Sequence, residues 1–169
     1  HMYIGVVRRD DITFYISNHE IESKGYEEKK LKQSAEFLAQ LKSKSDVKTL
    51  VYAPYVKHVQ QLAGLLQILS PNSCATYFGS MDKTIKENAY NAFLSGKKSI
   101  MISTKAFGMG IDIPDIQVVY HHAPSGLLPD YIQEIGRLAR KTELNGYALL
   151  NYSHIDKLYS NILHGMSSL

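Results

Sequence analysis

The chain has 169 residues, 19 Lys+Arg against 16 Asp+Glu for a net charge of +3, 44% hydrophobic and 21% charged residues; this is the balance of one folded domain and excludes disorder as the dominant state. The single cysteine, Cys74, excludes an intrachain disulfide framework and a cysteine-rich zinc site, and fits a reducing intracellular setting, cytoplasmic or nuclear. No stretch approaches the roughly 18 uninterrupted apolar residues of a membrane span and no signal peptide opens the chain, so no membrane partner is expected.

His1-Met2 reads as an expression scar, which leaves residues 3–169 as one domain. Residues 12–16 (ITFYI), β-branched and aromatic, predict a strand. Over residues 27–44, Leu31, Ala35, Leu38 and Leu41 recur at helical spacing. The lysines and glutamates around them (Lys24, Lys29, Lys30 and Lys32 with Glu22, Glu27 and Glu28) predict a solvated charged face. Residues 48–53 (KTLVYA) predict a strand that Pro54 stops, and Val56, Val59, Leu62, Ala63, Leu66 and Leu69 carry a helix to Ser70-Pro71. Residues 75–78 predict a short strand. Gly79-Ser80 lead into a helix through Ile85, Ala89 and Phe93, with Gly96 as its C-terminal cap. Residues 99–103 (SIMIS), 117–121 (QVVYH) and 147–151 predict strands. Residues 129–140 predict a helix with Pro129 near its start, and Ser153 is expected to cap a last helix through Ile155, Leu158 and Ile162. The alternation predicts an α/β fold, a parallel sheet with helices on both faces.

Sheets of this kind take ligands beyond the carboxyl ends of their strands. Two segments occupy that position: residues 103–116 (STKAFGMGIDIPDI) and 131–140 (YIQEIGRLAR). In the first, the Ser103 and Thr104 hydroxyls and nearby amides suit a phosphate. Gly108 and Gly110 allow a close backbone approach, and Asp112 can accept from a sugar hydroxyl. A plain turn with Asp112 as a cap fits the same residues. In the second segment, helical spacing puts Gln133, Arg137 and Arg140 on one face, where two guanidiniums make a planar, bidentate receptor for a polyanion. Gly136 there lets another backbone pack closely. A solvated basic face with a Glu134–Arg137 pair is the other reading. His121-His122 end a strand, point to opposite faces and lack partners at ligand spacing, so no metal site is expected. Cys74 reads as a small core residue, and nothing in the spacing of Lys83 and Lys86 demands a phosphate.

Taken together, FGMGID with Pro114-Asp115 at residues 107–115 and QEIGRLAR at residues 133–140 resemble motifs V and VI of superfamily 2 helicases, most closely the RecQ family. Arg9-Asp10-Asp11-Ile12 resembles the opening of that family's second lobe, and TLVYA at 49–53 resembles its motif IV. AFLSG at 92–96 and NGYALLNYS at 145–153 match the runs that flank these motifs. The resemblance implies a RecA-like fold and ATP-driven translocation on nucleic acid, DNA in preference to RNA, by two lobes with ATP in the cleft between them. The partner is then the first lobe of the same protein, which would carry the phosphate loop, the Mg²⁺-binding acids and most of the grip on ATP. Gly96-Lys97-Lys98-Ser99 is no such loop, since it precedes a strand and lacks the glycine spacing.

Residue by residue, the resemblance makes Arg140 the arginine finger on the γ-phosphate and Arg137 its partner on the phosphates or the acids of the first lobe. It makes Gln133 the link between nucleotide and lobe closure. Gly110 and Asp112 match positions that approach the nucleotide or the opposing lobe. Thr104 matches the holder of a nucleic-acid phosphate, and Pro54 and Tyr55 sit where amides meet another. An isolated lobe of this kind is expected to lack ATPase activity. Ala139 stands where the family has glycine; a left-handed backbone there would cost alanine about 1–2 kcal/mol, whereas ordinary helix would favour it. Two other readings remain. One is a degenerate lobe that binds protein or nucleic acid without catalysis. The other is the lobe of a DEAD-box-like RNA helicase, whose motif V has arginine where Met109 stands and whose motif VI begins His-Arg where Gln133-Glu134 stand.

Overall fold

The computed structural model describes residues 9–20, 24–108, 112–141 and 144–158. In chain order the elements are β1 (Ile12–Asn18), α1 (Tyr26–Lys44), β2 (Lys48–Tyr52), α2 (Val56–Leu69), β3 (Cys74–Tyr77) and α3 (Lys83–Leu94). They continue with β4 (Ile100–Ser103), β5 (Ile116–His121), α4 (Leu128–Ile135), β6 (Gly146–Tyr152) and a 3₁₀ turn over His154–Leu158. The six strands form one sheet in the order β1-β6-β5-β2-β4-β3, and every pairing is parallel.

Period two governs the centre of this sheet. Leu50 and Tyr52 of β2, Met101 of β4 and Val119 of β5 pack into one apolar cluster with Phe93 of α3, Phe107, Ile113 and Leu138. Val51, Ile100, Ile102 and Tyr120 point the other way and meet Leu31, Ala35 and Leu38 of α1 and Val59, Leu62 and Leu66 of α2. Strands buried on both faces read as short continuous apolar runs, which is how they appear in the sequence. Half-buried Cys74 packs against the second cluster, and burial pushes its thiol pKa up. Gly96 takes φ +80° beyond the end of α3, the cap expected there, while at its start the Asp82 carboxylate, not singled out in the sequence, accepts from the Thr84 amide at 2.8 Å.

The chain passes from β4 to β5 across β2, so the loops after β2, β4 and β5 emerge along one sheet edge. Three expectations fail elsewhere. α4 stops at Ile135, not at residue 140. Ser153 caps nothing with its hydroxyl, which is buried without a partner; its amide instead donates to the Asp156 carboxylate at 2.7 Å. Ile162, like His1 and Met2, lies outside the described residues.

Lys30 is the third correction. Its spacing put it on a solvated face, yet it is 2% exposed and forms an ion pair with fully buried Asp156. Burial pushes the Lys30 ammonium pKa down and the Asp156 carboxyl pKa up. The pair sits in a polar seam inside the α1 side of the sheet. There the Ser34 hydroxyl meets the Tyr120 hydroxyl at 2.9 Å, His122 Nδ1 at 2.7 Å and the Asn151 amide at 3.2 Å. Burial first, then the neighbouring Lys30 and His58, hold the His122 pKa down at about 3, so the ring stays neutral. A buried ion pair contributes little net stability, but stripping one member is costly. Lys30→Met should therefore destabilise the fold by about 3–5 kcal/mol in urea melts, and Lys30→Met with Asp156→Asn should recover most of that loss.

Candidate functional site

Arg137 and Arg140 do not share a helical face. α4 ends at Ile135 with Gly136 just beyond it, and the chain makes a turn in which Ala139 takes φ +47°. That turn is tied down from three directions. The Arg9 guanidinium, itself clamped on Asp11 at 2.7 and 2.8 Å, donates to the Leu138 carbonyl at 3.0 Å. The Ala139 amide donates to the Ile116 carbonyl at 3.0 Å, and the Lys141 amide to the Pro114 carbonyl at 3.1 Å. Leu138 and Ala139 are buried against β6, where a Cβ on Gly146 would stand 3.0 Å from the Leu138 Cβ. Gly136, by contrast, meets only carbonyls of its own helix, not another backbone.

So anchored, the turn aims both guanidiniums at the glycine-bearing loop after β4. Arg137 donates to the Gly108 carbonyl, and a Cβ on Gly108 would lie 3.2 Å from the Arg137 Nη2. A Cβ at position 108 would make that contact tight, and the Arg137 guanidinium would have to give by a few tenths of an ångström. Arg140 pairs with exposed Asp112 at 2.6 Å. The loop is held from beneath by buried Tyr52, whose hydroxyl donates to the Phe107 carbonyl at 2.9 Å. Burial, and secondarily Glu134, push the Tyr52 pKa above its ordinary value, so that donor keeps its proton.

A cavity of about 850 Å³ opens over the carboxyl ends of β2, β3 and β4 and brings together Pro54, Thr104, Gln133 and Arg137. Lys86, Lys105 and Ser80 line it too, whereas Lys83 turns to Glu87 at 3.9 Å. Tyr55, half exposed at the uncapped start of α2, lines an adjoining cavity of about 450 Å³ with Lys105, Ser125 and Asp130. Arg140 and Asp112 stand outside both cavities, on each other, and Gly110 lies outside the described residues. Ser103 is no phosphate ligand here: it is fully buried and its hydroxyl donates to the Thr104 carbonyl. Thr104 keeps a half-buried place in the cavity, its hydroxyl accepting from the Ala106 amide at 3.4 Å.

His121 and His122 do point to opposite faces. His122 enters the polar seam with Ser34, while His121 meets the Glu134 carboxylate at 2.6 Å, with the Ser125 hydroxyl on the same oxygen at 2.5 Å. This contact fastens α4 to the end of β5 beside Gln133. Sequence reasoning missed Lys105, the Gly79–Ser80 loop, Arg9 and Glu134 as contributors to this edge. Lys105 and Ser80 could have been found, because each lies within a few residues of a strand's carboxyl end.

Among the described residues no helix is long and apolar enough to cross a membrane. The family of the helicase conserved C-terminal domain matches residues 29–142 of the chain. An ATP-dependent RNA helicase, DBP3, of Scheffersomyces stipitis is 31% identical over 126 residues, 73% of this chain and 24% of that protein. The ATP-dependent DNA helicase Q-like 2 of Arabidopsis thaliana is 34% identical over 106 residues, 63% of this chain and 15% of that protein. The match thus spans about a quarter or less of each relative. Among solved structures, S. cerevisiae Dbp5 bound to RNA and ADP BeF3 shares the fold with a TM-score of 0.73 at 22% identity, over 96% of this chain and 40% of that one.

The left-handed Ala139 yields a contrast measurable by chemical denaturation. Ala35→Gly, in the buried middle of α1, should cost about 1 kcal/mol in helix propensity plus a lost methyl worth roughly 0.8 kcal/mol. Ala139→Gly loses a similar buried methyl, but relief of about 1–2 kcal/mol of left-handed strain should leave its stability close to that of the parent.

Proposed function

The chain belongs to the helicase conserved C-terminal domain family, and from that premise we propose that it is the second motor lobe of a longer ATP-dependent helicase. The observation that carries this reading is the seating of both arginines on the glycine-bearing loop, Arg137 on the Gly108 carbonyl and Arg140 on Asp112. The donor set fits phosphate oxygens, since planar guanidiniums bind them bidentately. Asp112 is engaged by Arg140 and Glu134 by His121 and Ser125, and in this reading Mg²⁺ is held by the acids of a companion lobe. ATP would supply the phosphoryl group that is transferred to water, and a guanidinium assists by neutralising charge on its oxygens.

In this reading Arg140, the more exposed of the two, exchanges Asp112 for the γ-phosphate when the lobes close. Arg137 and Gln133 hold the phosphate side of the shared cavity, and Gly110 and Asp112 approach the nucleotide. Thr104, Pro54 and Tyr55, with Lys105, take the nucleic-acid backbone at the other end. The cavity that contains Thr104, Gln133 and Arg137 supports a direct mechanical link between the two ligands. The QEIGR run at 133–137 and the likeness to the Arabidopsis enzyme support a RecQ-like lobe working on DNA. A DEAD-box-like RNA lobe is the second reading, favoured by the like identity to DBP3.

The test is ATP turnover by the full-length protein with single-stranded DNA and with RNA. Arg140→Ala should lower turnover by about 10³-fold or more, and the 169-residue chain alone should turn over no ATP. Unchanged turnover in Arg140→Ala removes the finger from the proposal. Stimulation by RNA and not DNA selects the second reading, and a full-length protein without turnover points to a binding module.

A further inference from the structure

Among the described residues two strands lie at the edges of the sheet, β1 and β3. β3 is a four-residue strand, but β1 runs seven residues and, among the described residues, pairs on one side alone, with β6, in unbroken register from Ile12 with Gly146 to Asn18 with Tyr152. Protein edges are commonly blunted by charge, proline, a bulge or shortness. The β1 sequence, ITFYISN, has no charged residue, no proline and no glycine. It is also apolar and open: Phe14 is 52%, Tyr15 55% and Ile16 68% exposed. Phe14 and Ile16 lie beside Ala148 and Leu150 on one face, and Tyr15 lies beside Leu149 on the other.

We propose that β1 is a self-association edge, on which a second copy of this chain pairs antiparallel with the dyad at Tyr15. The strand is complementary to itself in that register. Phe14 falls opposite Ile16 of the other copy, Thr13 opposite Ser17, Ile12 opposite Asn18, and the two Tyr15 rings meet at the axis. Aromatic with β-branched, hydroxyl with hydroxyl, and aromatic with aromatic are favoured cross-strand pairs. No like charges face one another, because the strand carries none. Two-fold pairing of one patch with itself is the commonest way soluble chains associate. The Tyr15 pair also has room: Tyr15 borders a cavity of about 520 Å³ with Phe37, Tyr120 and Leu149, between β1, β6 and α1. The three exposed side chains offer roughly 300 Å² per copy, so the pair stays well below the ~1,200–2,000 Å² of a standard stable interface. The dimer is accordingly weak and concentration-dependent, and it does not depend on the helicase reading.

Sedimentation equilibrium of the 169-residue chain tests this. Between about 1 μM and 1 mM the mass should rise from monomer towards dimer. Tyr15→Glu sets two carboxylates at the axis and should hold the chain monomeric throughout. Tyr15→Lys should do the same, and an equimolar mixture of the two variants should restore the dimer. Hydrogen exchange is the second readout: β1 amides should exchange more slowly as concentration rises, in the parent and not in Tyr15→Glu. A parent that stays monomeric to 1 mM, or association that survives Tyr15→Glu, overturns the proposal.

Discussion

Everything at the edge where the loops after β2, β4 and β5 emerge follows from the burial of those strands on both faces. A strand with apolar side chains above and below can sit only in the middle of a sheet between two helix layers. Leu50 and Val51, Met101 and Ile102, and Val119 and Tyr120 are such pairs, one member in each apolar cluster. With these strands parallel and central, their carboxyl ends come out side by side. The loops that follow have nowhere to go but over one edge. The chemistry-bearing residues are together because the core leaves them no alternative.

The same edge depends on a second, smaller device. The turn after α4 carries both arginines, and it departs from the helix on which their spacing would have set them side by side. Instead a left-handed residue reverses the chain, and hydrogen bonds to Ile116, Pro114 and Arg9 hold it there. Arg9 matters because it ties the start of the first strand to the turn near the far end of the sequence. The position of the guanidiniums is thus a property of the whole lobe rather than of a local motif.

The element order and the three-layer fold were legible in the sequence because period-two and period-3.6 patterns coincide with punctuation at Pro54, Pro71 and Gly96. The two loops of interest were legible for the same reason: strand ends could be located. What failed did so for physical reasons. EIGRLAR continues the helical pattern of α4 through residue 140, yet Ala139 leaves the helix because three outside partners compensate it, and nothing local announces them. Lys30 lies among charged residues in the first turns of α1, and only contact with Asp156, 126 residues away, makes it a core residue. The Ser103 hydroxyl was a reasonable phosphate donor until its burial was known. In each case tertiary context, which periodicity does not encode, decided the outcome.

The seating of Arg140 on Asp112 has a kinetic corollary. An ion pair between exposed partners is worth at most about 1 kcal/mol, so Arg140 rests on Asp112 without being locked there. A contact this weak lets the guanidinium exchange its carboxylate for another anion that reaches the same edge. The resting lobe also shows a stray anion a carboxylate beside the guanidinium rather than a bare cation.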